Sequence, residues 1–245
     1  MTIELTVLGC AGSFPSPAAG PCSGYLLRSG ATSIWMDCGS GTLERLQRHA
    51  VPDDLTGVVI THRHADHCVD ILGLEVMLRY YRGFAVGPPV LAPAEVLDSL
   101  SGVGGGLASF FAWDEVDDGD RRQLGDIGLR FSRTDHSAPT VAVEASAGGK
   151  RLVYTSDTGP KWSAAAFGPT PDLLLSEATY EHEDDGVPVH LTAHQAGAMG
   201  AEVDARRLVI THLAPLRDPA VSVAAAEEAF GGRVTLAAPD LRVRI

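Results

Sequence analysis

Seven consecutive residues, Thr61-His62-Arg63-His64-Ala65-Asp66-His67, limit what this chain can fold into more than any other stretch. An apolar run, Gly57-Val58-Val59-Ile60, leads into them and reads as a buried strand. Ile71, Leu74, Leu78 and Tyr81 come next at helical spacing. The polar cluster therefore sits on a turn between strand and helix, where open α/β sheets place their sites. In extended backbone, residues two apart point the same way. His62 and His64 can approach one metal ion together, while Asp66 and His67 face a second position beside it. Imidazole and carboxylate donors without thiolate suit zinc, and also manganese or iron.

Other apolar runs end in the same manner. Leu152-Val153-Tyr154 leads to Asp157, Leu173-Leu174-Leu175 to Glu177, and Leu208-Val209-Ile210 to His212. Leu129-Arg130-Phe131-Ser132 runs into Asp135-His136. Strands that deliver ionisable residues from their carboxyl ends predict one convergent site. Gly148-Gly149 between two apolar runs marks a hairpin. Pro88 to Pro93 reads as a short edge strand bounded by prolines. Asp114 to Asp120 reads as a solvated acidic loop, and Ala193–Ala205 and Ala220–Phe230 as helices. Asp37-Cys38-Gly39 and Asp157-Thr158-Gly159 sit similarly in the two halves and hint at a duplicated β-rich unit.

The 245 residues suffice for a sizeable core, and one domain over residues 1–245 is expected. The net charge of -12, with Lys150 and Lys161 the only lysines, disfavours a broad nucleic-acid footprint. No apolar run is long enough to span a bilayer, and Met1-Thr2-Ile3-Glu4 lacks the pattern of a signal peptide. Cys10, Cys22, Cys38 and Cys68 lack CxxC spacing, so reduced thiols and a cytoplasmic location are expected.

His62-x-His64-x-Asp66-His67, followed by His136, Asp157 and His212, resembles the metal-binding set of the metallo-β-lactamase superfamily. The match spans residue 3 to at least residue 212. The resemblance implies an α+β fold, a four-layer αββα sandwich with a two-metal site on its rim. It assigns His62, His64 and His136 to one divalent ion, and Asp66, His67 and His212 to the other. Asp157 would bridge them, and Asp37 would support the site from behind. Ser176-Glu177-Ala178-Thr179 followed by His190-Leu191-Thr192 is similar to the ribonuclease Z-like phosphodiesterase branch. That branch places a Glu–His pair beside the metals, which Glu177 and His190 match; Ser176 stands where the branch usually has histidine. His49, His182 and His194 are expected on the surface without a role.

The resemblance implies a metal-dependent hydrolase with Asp66, His190 and Glu177 as catalytic residues. Transfer-RNA-processing members insert a long clamping arm between the third histidine and the bridging aspartate. Here little more than a hairpin joins His136 to Asp157, and Glu181-His182-Glu183-Asp184-Asp185 is acidic. A small or cyclic phosphodiester is therefore the expected substrate. A ribonuclease Z-type 3′-processing endonuclease is the alternative, as is a lactone, thioester or β-lactam hydrolase of the same superfamily. By analogy, a homodimer is the expected protein partnership.

Overall fold

The computed structural model describes residues 2–103, 106–181 and 189–245. Two seven-stranded sheets face each other. The first contains β1 (Glu4–Gly9), β2 (Gly24–Ser29), β3 (Thr32–Met36), β4 (Gly57–Val59), β5 (Pro89–Ala92) and β6 (Ala112–Glu115). The second contains β7 (Arg121–Leu124), β8 (Ile127–Arg133), β9 (Val141–Ala147), β10 (Lys150–Tyr154), β11 (Leu173–Glu177), β12 (Leu208–Thr211) and β13 (Val234–Leu236). The last strand, β14 (Arg242–Arg244), returns to pair with β1 in the first sheet.

Side-chain alternation builds the layers, because successive residues of a strand face opposite sides. Tyr25, Leu27, Ile34, Met36 and Val59 meet Phe131, Val143, Leu152, Tyr154 and Leu173 in the core between the sheets. The intervening Leu26, Trp35 and Val58 face outward. There they pack on helices α1 (Thr42–His49), α3 (Ile71–Val76), α4 (Ala94–Ser101) and α5 (Leu107–Phe110). Val153, Leu174 and Ile210 pack on α6 (Ala193–Glu202) and α7 (Pro219–Phe230) on the opposite face. The order helix, sheet, sheet, helix is the αββα sandwich. No helix among the described residues is long and apolar enough to cross a membrane.

The two halves share a strand pattern. Strands β1-β2-β3 are antiparallel, and β3-β4-β5-β6 run parallel. Likewise β8-β9-β10 are antiparallel, and β10-β11-β12-β13 run parallel. Asp37 and Asp157 thus leave equivalent strands, β3 and β10. The consequence for the site is directional: the residues just beyond the carboxyl ends of β3, β4, β8, β10, β11 and β12 all reach one rim.

Three local expectations fail. Strand β5 is internal, because β6 pairs along its outer side. Pro89 is its first residue, the position where a missing N–H costs a strand least. Asp114 and Glu115 lie in β6 rather than a loop, and Asp114 is held by Arg122 of β7 at 2.7 and 3.0 Å. The helix after His67 is broken: a short α2 (Ala65–Cys68) precedes α3, and α3 continues as a π-turn over Met77–Tyr81. The wider turn takes Tyr81 off the apolar face and leaves it 81% exposed.

Candidate metal centre and active site

Sharp strand exits aim the key side chains. Asp37, Ser156 and His212 lie just past β3, β10 and β12 with φ of 58°, 52° and 57°. Non-glycine residues adopt this left-handed region at a cost of about 1–3 kcal/mol each and cluster where function demands it. Gly12 closes the rim on His212. A Cβ there would come within 2.8 Å of the His212 carbonyl and 3.0 Å of its ring. Gly12→Ala is expected to destabilise the chain by about 1–3 kcal/mol through overpacking. It should also displace His212, and denaturant unfolding together with zinc content checks both effects.

The seven expected metal ligands, with Glu177 and His190, come together. Donor atoms of His62, His64, His136 and Asp157 lie within 4.8 Å of one another, as do those of Asp66, His67 and His212. The two oxygens of Asp157 face different groups. Oδ2 is 3.5 Å from His62 Nε2 and 3.8 Å from His136 Nε2. Oδ1 is 3.3 Å from His67 Nε2 and 3.4 Å from His212 Nε2. Asp66 Oδ2 is 3.3 Å from His212 Nε2 and accepts a hydrogen bond from the Ser13 backbone N–H at 2.8 Å.

Hydrogen bonding behind the rings fixes their tautomers. His67 Nδ1 donates to the Asp37 carboxylate at 2.8 Å, and His136 Nδ1 to the Val189 carbonyl at 2.8 Å. Thr179 Oγ1 spends its one proton on acceptors, Glu177 Oε2 at 2.7 Å or the His212 carbonyl at 3.1 Å. His212 Nδ1, 2.9 Å from that hydroxyl, must therefore donate to it. Thr61 Oγ1 likewise donates to Asp37, so His62 Nδ1 donates to Thr61 at 3.2 Å. In each ring the bare nitrogen is then Nε2, facing inward. His64 is the exception. Its Nδ1 faces inward, 3.0 Å from His62 Nε2 and 3.2 Å from His136 Nε2.

This arrangement fits divalent cations. His67 Nε2 and Asp157 Oδ1 are buried and have no hydrogen-bond partner among the described residues. An unpaired buried polar atom is costly unless something charged completes it. Burial pulls the His62 imidazolium well below its ordinary pKa, and the neighbouring His67 adds to that. At His67 burial acts in the same sense, but Asp157, Asp37 and Asp66 outweigh it and push the pKa well up. The field at His67 thus favours positive charge, as a cation site requires.

Glu177 and His190 form the pair beside this cluster. His190 Nδ1 lies 3.0 Å from Glu177 Oε1 and 3.9 Å from Asp157 Oδ2. Burial lowers the His190 pKa, yet Glu177 and Asp157 raise it further, to about 9. Glu177 is fully buried, and Thr158 N, Thr179 Oγ1 and Leu191 N also donate to it. Ser176 points elsewhere, its Oγ bonded to the Glu177 carbonyl at 3.0 Å.

Several supporting groups carry no signal in the sequence. Thr179, Thr61 and Tyr154 hold histidines or their carboxylate partners, yet hydroxyls at strand ends have no diagnostic spacing. Asp37 is fully buried and contacts His67 directly, which settles its place behind the site. His49 is not a free surface group: its Nε2 lies 2.6 Å from Asp240 Oδ1. His182, Glu183, Asp184 and Asp185 lie outside the described residues. The four cysteines are free thiols.

Known proteins place the chain. Residues 32–213 match the beta-lactamase superfamily domain. An uncharacterised protein of Mycobacterium leprae is 35% identical over 96% of this chain and 86% of its own length. The probable metallo-hydrolase YhfI of Bacillus subtilis is 30% identical over 86% of this chain and 87% of its own. Its crystal structure superposes with a TM-score of 0.89 at 26% identity, covering 100% of this chain and 99% of that one. A ribonuclease Z of Mycobacterium marinum is 29% identical over 99% of both chains. The chain therefore belongs to the beta-lactamase superfamily, as a metal-dependent hydrolase of its ribonuclease Z-like branch.

Proposed function

We propose that the chain is a two-metal phosphodiesterase acting on a small or cyclic phosphodiester, with residues 1–245 forming one domain. The observation that carries the reading is the His190–Glu177 pair, 3.0 Å apart and next to Asp157. Departure of a poor alkoxide from a phosphodiester calls for a positioned proton donor, and this pair supplies one. His62, His64 and His136 would hold one ion, Asp66, His67 and His212 the other, and Asp157 both. Zinc suits this donor set, with manganese or iron as alternatives. When bound, the ions supply Lewis acidity to water and phosphate alike.

The chain's own residues would do the rest. Asp66, fixed by the Ser13 N–H, orients the attacking water and accepts its proton. His190 keeps its Nδ1 proton on Glu177 and gives a proton from Nε2 to the leaving alkoxide. The short link between His136 and Asp157 favours a small substrate. The β9–β10 hairpin occupies residues 141–154 of that link, which leaves little chain for an RNA-clamping arm. The net charge of -12 also opposes a polyanion. Free thiols support a cytoplasmic location.

The purified protein is expected to hold two equivalents of divalent metal and to hydrolyse bis-p-nitrophenyl phosphate. Chelation or Asp66→Ala should abolish turnover, and nitrocefin and lactones should remain intact. Metal-loaded protein that leaves phosphodiesters untouched would overturn the proposal. Likeness to ribonuclease Z over nearly the whole chain favours a second reading, 3′-processing of transfer RNA. Accurate cleavage of a precursor at its 3′ trailer would establish it instead.

A further inference from the structure

We infer that Tyr154, on the sheet opposite Asp37, is a positioning residue for the His67 side of the metal centre. It acts through Asp37 and touches no reacting atom. Asp37 lies just past β3 in the first sheet, whereas Tyr154 is the last residue of β10 in the second. The Tyr154 hydroxyl donates to Asp37 Oδ2 at 2.9 Å across the gap between the sheets. That same oxygen accepts from His67 Nδ1 at 2.8 Å and from Thr61 Oγ1 at 3.0 Å, while Oδ1 accepts from Thr61 N at 2.8 Å. All four donors come from Thr61, His67 and Tyr154, none of them a lysine or arginine. Asp37 and Tyr154 are both 0% exposed.

A buried carboxylate needs compensation for its charge. Here that charge is spread over the hydrogen bonds from Thr61, His67 and Tyr154. Removing the Tyr154 donor leaves the charge concentrated on fewer partners. Asp37 would then shift toward Thr61 or His67, and the aim of His67 Nε2 would loosen. Groups that hold a metal-binding histidine from behind are worth roughly 10–100-fold in metal affinity. The first cluster has other anchors: His136 is held by the Val189 carbonyl, and the hydroxyl behind His62, Thr61 Oγ1, also accepts from Ser156 Oγ at 2.7 Å. The effect should therefore fall on one ion rather than two. This assignment rests on the reading of His67 as a metal ligand.

Tyr25 supplies a matched control. It is also 0% exposed, lies in the same core, and packs edge-on against Tyr154 with centroids 5.0 Å apart. Its hydroxyl bonds Thr211 Oγ1 at 2.7 Å and does not reach Asp37. Tyr154→Phe and Tyr25→Phe each delete one buried hydroxyl and keep the ring.

The experiment measures zinc retained by the full chain against a graded chelator, with no assay of turnover. Wild type and Tyr25→Phe should hold two ions with equal affinity. Tyr154→Phe should hold one as wild type and release the other with a dissociation constant raised about tenfold or more. Equal retention in Tyr154→Phe and wild type would overturn the assignment alone, as would parallel loss in both tyrosine variants. A wild type that binds no zinc would overturn the assignment together with the reading beneath it. If Tyr154→Phe fails to fold, 3-fluorotyrosine at position 154 decides. Its ¹⁹F resonance should move on zinc loading, and an unmoved resonance would overturn the link.

Discussion

Asp157→Asn is expected to lower phosphodiester turnover by about 10³-fold or more, corresponding to roughly 4 kcal/mol of lost transition-state stabilisation. The cost is large because Asp157 presents an oxygen to each histidine group. Oδ2 faces His62 and His136, and Oδ1 faces His67 and His212. Asparagine keeps the shape but places an N–H₂ against one pair of bare Nε2 atoms. It also removes the charge that favours a cation. Zinc content should fall from two equivalents toward none. The metal-free chain should unfold at the same denaturant concentration or a higher one, since a neutral side chain relieves a buried charge. Divergence of the two measurements separates a metal-binding role from a structural one. A variant that keeps both ions, or that merely unfolds earlier, would remove Asp157 from the proposed centre.

Legibility in the sequence depends on which physical rules are local. The run Thr61–His67 is legible, because its spacing fixes direction before any tertiary contact exists. So are the apolar runs ending in Asp157, Glu177 and His212, since parallel strands in one sheet must deliver their ends to one rim. Failures occur where neighbours decide. Pro89 looks like a sheet edge until β6 pairs beyond it, and nothing in Ala112–Glu115 alternates strongly enough to announce that strand. Tyr154 reads as one more apolar strand residue, yet its hydroxyl crosses to the other sheet and reaches Asp37. Pairing between sheets depends on register over more than a hundred residues, which no spacing rule encodes. The tautomers also depend on partners distant in the chain, here within one sheet, since Thr179 lies 33 positions from His212.

His190→Ala should show a loss that depends on the leaving group. For a phosphodiester with an alkyl alcohol as leaving group, kcat should fall about 10²–10⁴-fold, the usual contribution of a positioned proton donor. For bis-p-nitrophenyl phosphate the loss should be far smaller, because p-nitrophenolate departs without a proton. Zinc content should stay at the wild-type value. Glu177→Gln should show the same bias at about tenfold amplitude, since it weakens the partner that holds His190 Nδ1 at 3.0 Å. The comparison also discriminates against the nearest competing role. His190 groups with Asp157 and His212 closely enough to be a metal ligand itself. In that case its removal would depress both substrates equally and lower zinc content in parallel. A leaving-group bias with intact metal content assigns the proton; equal losses with falling metal content assign the ion.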